Sequence, residues 1–185
     1  MKELIFEEMK ENMEKQITFL ERSFNKVRTG RASVSLLDGI KVDYYGAMTP
    51  LNQVATLSIP ESQQILISPW DKSAIGNIEK AIQKSELGLV PTNDGNVIRI
   101  NIPPLTEERR RELVKLVRKM AEDSKIKLRN ARRDANNALK ELEKNNEISK
   151  DNFHDYQGEV QEVTDEYVKK SDKVLAAKEA EIMEI

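Results

Sequence analysis

Neither proline nor glycine interrupts the chain between Thr106 and Glu147, and over that stretch Leu113, Val117, Met120, Ser124, Leu128, Ala131, Ala135, Ala138 and Leu142 recur at steps of three and four. At about 100° per residue these positions line up as one apolar-to-small stripe, so the spacing predicts a single long amphipathic helix. Arg111, Arg118, Lys125 and Arg132 recur every seventh residue, and Arg129 lies one turn before Arg133, which predicts a row of cations on the flank of the same rod. A rod with such a seam does not stand alone, and the rest of the chain must supply the helices that cover it.

Two further stretches have the same period. From about Lys2 to Arg28, Met9, Met13, Ile17, Leu20, Phe24 and Val27 form a stripe that stops at Thr29-Gly30. After Asn145-Asn146, Ser149 is a good N-cap and Ile148 and Phe153 sit where a hydrophobic staple forms. Phe153, Tyr156, Val160, Val163, Tyr167 and Val174 carry that third stripe onward. Thr106 caps the long helix, with Glu107 and Glu108 at its positive dipole end.

Between the first and second helical stretches the period changes to two. Ile40, Val42 and Tyr44 alternate with Lys41, Asp43 and Tyr45 in a strand closed by Gly46. Gln53 to Ile59 alternates with Ala55, Leu57 and Ile59 on one face, Pro60 to Gln64 reads as a turn, and Ile65-Leu66-Ile67 forms a strand that Pro69 ends or edges. Asp71 caps a short helix with Ile75, Ile78 and Ile82 on its buried face, ending near Leu87-Gly88. Asn93-Asp94-Gly95-Asn96 is a turn before a last strand, Val97 to Ile102. The pattern predicts an α+β chain: a three-helix bundle from residues 1–29 and 106–185, with a small β/α/β domain inserted at residues 30–105. Its two crossings, near residues 28–31 and 103–106, are candidate hinges through Thr29, Gly30, Pro103, Pro104 and Leu105. Gly30 serves equally well as a plain helix stop.

Composition narrows the chemistry. A hydrophobic fraction of 38% against 34% charged residues suits exposed helices with narrow stripes, hence an elongated molecule. The absence of cysteine excludes disulfides and thiolate chemistry and fits a reducing cytoplasm. The acidic N-terminus lacks a long apolar run, so neither a signal peptide nor a membrane span is expected. There is no Gly-rich phosphate loop, nucleophile elbow or metal-ligand pair; His154 is the sole histidine, and Asp71, Glu79 and Asp94 are isolated acids suited to a cap, a helix face and a turn. No enzyme, cofactor or metal function is expected.

The net charge of −2 hides a strong segregation. From Arg109 to Arg133 eleven cations face three acids, a net of +8, whereas from Asp151 to the end ten acids face four lysines, a net of −6. If those helices lie side by side, part of the basic charge is compensated internally and only an outward flank is left for a partner.

Several local patterns together resemble the bacterial ribosome recycling factor family. They are Arg28-Thr29-Gly30-Arg31-Ala32-Ser33, Asp43-Tyr44-Tyr45-Gly46, Thr49-Pro50-Leu51-Asn52-Gln53, Leu87-Gly88-Leu89, Asp94-Gly95, Pro103-Pro104-Leu105-Thr106-Glu107-Glu108-Arg109-Arg110 and Arg129-Asn130-Ala131-Arg132-Arg133-Asp134-Ala135. They span the chain in order. The resemblance implies an L-shaped protein with a three-helix bundle as domain I and a β/α/β sandwich as domain II. It also implies a factor that binds the large ribosomal subunit after peptide release, across the aminoacyl and peptidyl tRNA sites. With elongation factor G and GTP it would split the ribosome, releasing mRNA and tRNA for a new round of translation. Arg110, Arg129 and Arg132 match positions that the family uses on RNA, while Trp70 stands where the family varies.

The residues themselves sort by chemistry. Arg129, Arg132 and Arg133 bring three planar, bidentate donors together within five positions, away from the apolar stripe, and suit phosphates and bases. Arg28 and Arg31 flank Thr29-Gly30 and are further RNA candidates, although Arg28 also suits a helix C-terminus. Lys115 and Lys119 read as ordinary solvated helix face. Tyr44 and Tyr45 cannot share one side of a strand, so one is expected in the core and one outside, and Trp70 is expected half-buried in the small domain. A cytoplasmic monomer with no membrane partner is expected. The competing reading is a helical module that binds an acidic protein through the basic flank, with nonspecific RNA binding a lesser one.

Overall fold

A computed structural model describes residues 1–184. The chain forms two compact units, one from Met1–Val27 together with the chain from Glu108 onward, the other from Arg28–Glu107.

The first unit contains helices α1 (Lys2–Asn25), α3 (Glu107–Lys144) and α4 (Lys150–Met183), with α2 belonging to the second. At 38 residues α3 is about 57 Å long at 1.5 Å per residue, and only helices of similar reach can cover its stripe. Met9, Met13 and Ile17 of α1 pack with Leu128, Ala131, Ala135 and Leu139 of α3 and with Val160 and Tyr167 of α4. Along α3 the stripe differs from the sequence reading at two places: Ala121 and Leu139 are buried, while Met120 and Ala138 are half-buried. Adjacent positions at a stripe edge satisfy the same period, and the facing helices decide between them.

The helix ends follow their local chemistry. The α3–α4 turn carries Asn146 at φ +60°, and Glu147 N–H donates to the Leu142 carbonyl at 2.9 Å, satisfying a terminal carbonyl of α3. Ser149 Oγ accepts from Asn152 N–H at 3.0 Å, and Ile148 and Phe153 both pack against the core as a staple. Along α4, Val160 and Tyr167 are buried as expected, Phe153, Tyr156, Val163 and Val174 are only half-buried, and Thr164, Ser171, Lys178 and Ile182 complete the inner face. The polar members gave no apolar signal. Thr164 Oγ1 donates back to the Val160 carbonyl at 2.7 Å, which lets a hydroxyl lie inside the bundle.

The second unit has a hairpin, β1 (Lys41–Tyr44) with β2 (Ala47–Pro50), and an antiparallel four-stranded sheet. That sheet comprises β3 (Ala55–Glu61), β4 (Gln64–Pro69), β5 (Pro91–Asn93) and β6 (Ile98–Asn101), in the order β3-β4-β6-β5. Helix α2 (Ile75–Lys84) packs against β1 and β5, and its Ile78 and Ile82 meet Val42, Ile65, Ile67 and Ile98 in one core. Pro60 falls on the edge strand β3, where the pairing register shifts between Ser58 and Glu61 and no N–H is needed. Strands β2 and β5 lie outside the sequence reading. Tyr45 and Gly46, at φ +51° and +83°, form the two-residue turn that reverses β1 into β2.

Tyr44 packs on the core and Tyr45 is exposed, as expected, although Tyr45 lies outside because it stands in the turn after β1 rather than by alternation along the strand. Trp70 is 67% exposed rather than half-buried; its indole N–H donates to Thr56 Oγ1 at 2.8 Å, which fixes the ring against the sheet edge instead of inside it. Among the described residues no helix is long and apolar enough to cross a membrane.

Candidate nucleic-acid interface

The basic residues of α3 divide according to which way the helix turns them. In the row at every seventh residue, expected on the flank of the rod, Arg118, Lys125 and Arg132 are turned against α4. Arg118 Nε donates to Glu179, Lys125 pairs with Asp172, and Arg132 Nη1 donates to Gln161 Oε1 at 2.9 Å. Gln161 Nε2 in turn donates to Asp165 Oδ1 at 2.8 Å. A period of seven drifts by about 20° per heptad from the helix repeat, so over the two heptads from Arg118 to Arg132 the row turns by about 40° and stays over one neighbouring helix. The bond to Glu179 raises the Arg118 pKa further, fixing its charge. The acidic α4 therefore compensates part of the basic charge of α3, as the segregation in the sequence anticipated.

The remaining cations point elsewhere. Arg133 is exposed and makes no hydrogen bond or ion pair among the described residues, and the same holds for Lys115 and Lys119. Arg129 is exposed and donates through Nη1 to Glu122 Oε1 at 3.1 Å, a surface pair that a phosphate can displace at little cost. Arg132 is half-buried; the one donor spent on Gln161 orients the guanidinium and leaves others of its five for an incoming phosphate. Arg129, Arg132 and Arg133 thus lie within five positions with two of the three oriented by neighbours.

Arg110 is set apart from that cluster. It is half-buried at the other end of α3, where Nη1 donates to the carbonyls of Ile182 at 3.3 Å and Glu184 at 2.8 Å. A cation there closes the C-terminus of α4 and matches its dipole. Arg28 and Arg31 are both exposed beside the buried Thr29 and Gly30. Gly30 has φ +75°, and a Cβ built on it would lie 3.0 Å from Leu105 Cγ and 3.2 Å from Leu105 N, so the two chain crossings touch here. Pro103 and Pro104 are exposed and Leu105 is half-buried. Gln161, which positions Arg132, was invisible in the sequence: it lies 29 residues away on an acidic helix with no motif around it. No cluster of His, Cys, Asp or Glu able to hold a metal occurs among the described residues.

Long packed helices drawn from both ends of the chain, with an antiparallel β/α unit between them in sequence and a run of arginines on one helix, define a two-unit α+β protein with a basic helix flank. The model of the family described as ribosome recycling factor matches residues 20–183. The chain belongs to the ribosome recycling factor family. It is 71% identical over the full length of both chains to the ribosome-recycling factor of Syntrophus aciditrophicus (strain SB), and 55% identical to that of Bacillus licheniformis, covering 98% of each chain. Among solved structures it is similar to a solution structure of the ribosome recycling factor, at 44% identity and a TM-score of 0.79, covering 100% of this chain and 98% of that one. It is also similar, at 43% identity, a TM-score of 0.68 and full coverage of both, to a chain of the models for the T. thermophilus ribosome recycling factor and the E. coli elongation factor G bound to the E. coli post-termination complex.

Proposed function

We propose that this protein recycles ribosomes: it binds the large subunit of the post-termination ribosome across the aminoacyl and peptidyl tRNA sites and, with elongation factor G and GTP, splits the particle into subunits. The observation that carries this reading is the match to ribosome recycling factors from end to end, with the arginine cluster of α3 in place. The chain is not itself an enzyme on this reading; the GTPase is the partner, and this protein acts in the cytoplasm as a monomeric, shaped wedge without a cofactor. Arg129, Arg132 and Arg133 hold ribosomal RNA, with Arg110, Arg28 and Arg31 as further contacts, and Thr29, Gly30, Pro103, Pro104 and Leu105 act as the hinge.

Binding energy positions the bundle, and movement at the hinge lets the second factor push. Arginine suits the first task because its fork reaches phosphate bidentately and stacks on bases. Each phosphate contact adds about one unit to the salt dependence of binding. The decisive experiment is a subunit-splitting assay on purified post-termination ribosomes with and without elongation factor G and GTP; splitting is expected only with all components, and no splitting overturns the reading. Arg132→Ala is expected to keep the wild-type circular dichroism spectrum but to bind large subunits much more weakly, and wild-type affinity would remove Arg132 from the interface. Ribonuclease treatment should abolish cosedimentation; survival of the complex would favour an acidic protein partner.

A further inference from the structure

Three acids follow one another at steps of seven on the flank of α4 that meets α3: Asp165, Asp172 and Glu179. Two of them take a cation of α3 directly, Asp172 pairing with Lys125 and Glu179 with Arg118. Asp165 does not. It makes no ion pair among the described residues, and its Oδ1 accepts instead from Nε2 of Gln161, one turn earlier on α4, at 2.8 Å. The other end of that amide faces α3, where Gln161 Oε1 accepts from Arg132 Nη1 at 2.9 Å.

The two ends fix the amide between them. A guanidinium only donates and a carboxylate only accepts, so a single orientation of Gln161 satisfies both, with oxygen toward Arg132 and nitrogen toward Asp165. Gln161 is exposed, so packing does not hold its side chain in that orientation. With Asp165 removed, the amide is free to turn over and present its own donors to a guanidinium that cannot accept them. Arg132 would then have to be ordered at the moment of binding, as the unpartnered Arg133 beside it already must be.

We propose that Asp165 is a positioning residue for RNA: through Gln161 it holds the Arg132 guanidinium ready for a phosphate before the RNA arrives. The assignment rests on the reading of Arg132 as an RNA contact and deepens it. It gives an acid the opposite of its electrostatic role. A carboxylate near an RNA site repels phosphate, so on charge alone its removal tightens binding; through the relay, its removal weakens binding.

The test measures the affinity of the full chain for purified large ribosomal subunits across a salt series, together with the NMR order parameter of the Arg132 Nε–H in the free protein. Asp165→Ala is expected to weaken binding about two- to tenfold, the cost of ordering one long side chain on association. Its salt slope is expected to stay at the wild-type value, because no phosphate contact is deleted, and the Arg132 order parameter is expected to fall. Asp165→Asn keeps an accepting oxygen without the charge and is expected to restore both affinity and order. Glu162→Ala, which removes an exposed acid of α4 without a bond among the described residues, is expected not to weaken binding. Wild-type or tighter binding by Asp165→Ala, an equal loss in Asp165→Asn, or an equal loss in Glu162→Ala each overturns the proposal. Arg132→Ala, measured alongside, separates the two levels. If it loses affinity while Asp165→Ala does not, the relay alone has failed; if it too binds like the wild type, the reading of Arg132 as an RNA contact falls.

Discussion

At Gly30 two requirements meet in one residue. The backbone lies at φ +75°, which a side chain disfavours, and the space where a Cβ would stand is bounded by Leu105 Cγ at 3.0 Å and by its backbone nitrogen at 3.2 Å. Gly30→Ala is therefore expected to destabilise the protein by about 1–3 kcal/mol in urea unfolding, and an unchanged midpoint would show that the crossings adjust freely. Ser171 presents the opposite case: its hydroxyl is fully buried in α4 without a partner. Ser171→Ala removes an unsatisfied group while leaving a methyl in place, so the bundle is expected to gain about 1 kcal/mol, read as a rise in melting temperature. The sequence reads Thr29-Gly30 as the stop of the first helix, whereas α1 ends at Asn25 with Lys26 as its cap and Gly30 lies in the connection beyond it; only the fold shows Leu105, 75 positions on, closing over that glycine. Likewise Ser124 could be read as a small residue on the stripe, while its lack of a partner depends on three helices at once.

At the level of elements, helices were readable because their stripes extend over many turns, and the capping residues Ser149 and Asp71 stand where the chain uses them. Two strands were not. β5 has three residues, too few for an alternation, and β2 begins right after Tyr45-Gly46, whose left-handed backbone makes a hairpin from a pair lacking the usual Asn-Gly or Asp-Gly signal. On α3 the sequence displayed every cation and a nearby acidic helix to compensate part of them, but not which ones: Arg118 and Lys125 pair with α4, and Arg133 does not. That difference predicts a contrast. Arg133→Ala should lower the salt dependence of large-subunit binding by about one unit, whereas Arg118→Ala, which loses a pair with Glu179, should leave it unchanged. Equal effects would mean that total charge rather than orientation governs binding.

The Asp94 turn has a pH signature. Its Oδ1 accepts from Val97 N–H and Asn96 N–H, both at 2.9 Å, and these bonds, helped by Arg99, hold the carboxyl below the ordinary aspartate range. A depressed folded-state pKa contributes stability that is present above the unfolded value of about 4 and is lost as pH falls through the folded value. Asp94→Asn keeps an acceptor oxygen in place but cannot titrate. Its melting temperature is expected to depend less on pH than that of the wild type below about pH 4, and to show no such difference near neutrality. Parallel curves across the acid range would show that the turn contributes nothing to acid unfolding.

Over the whole molecule, on the proposed reading, the segregated charge and the split bundle divide anchoring from thrust. The helices of the first unit come from both ends of the chain, so the chain crosses between the two units twice. Pro103 and Pro104 restrict one of those crossings, since each fixes its own φ and biases the residue before it toward extended backbone. On the proposed reading, a push applied to the second unit is passed to an RNA-held bundle through a hinge whose travel these prolines limit. Replacing both prolines by alanine is therefore expected to leave large-subunit affinity within about twofold, because the arginine cluster of α3 is untouched, while slowing subunit splitting by elongation factor G and GTP. Measuring the two quantities on one preparation separates anchoring from thrust. Wild-type splitting in that variant would move the mechanical role to the other crossing, where Gly30 and Leu105 meet, and a matched loss of both would show that the crossings shape the bundle itself.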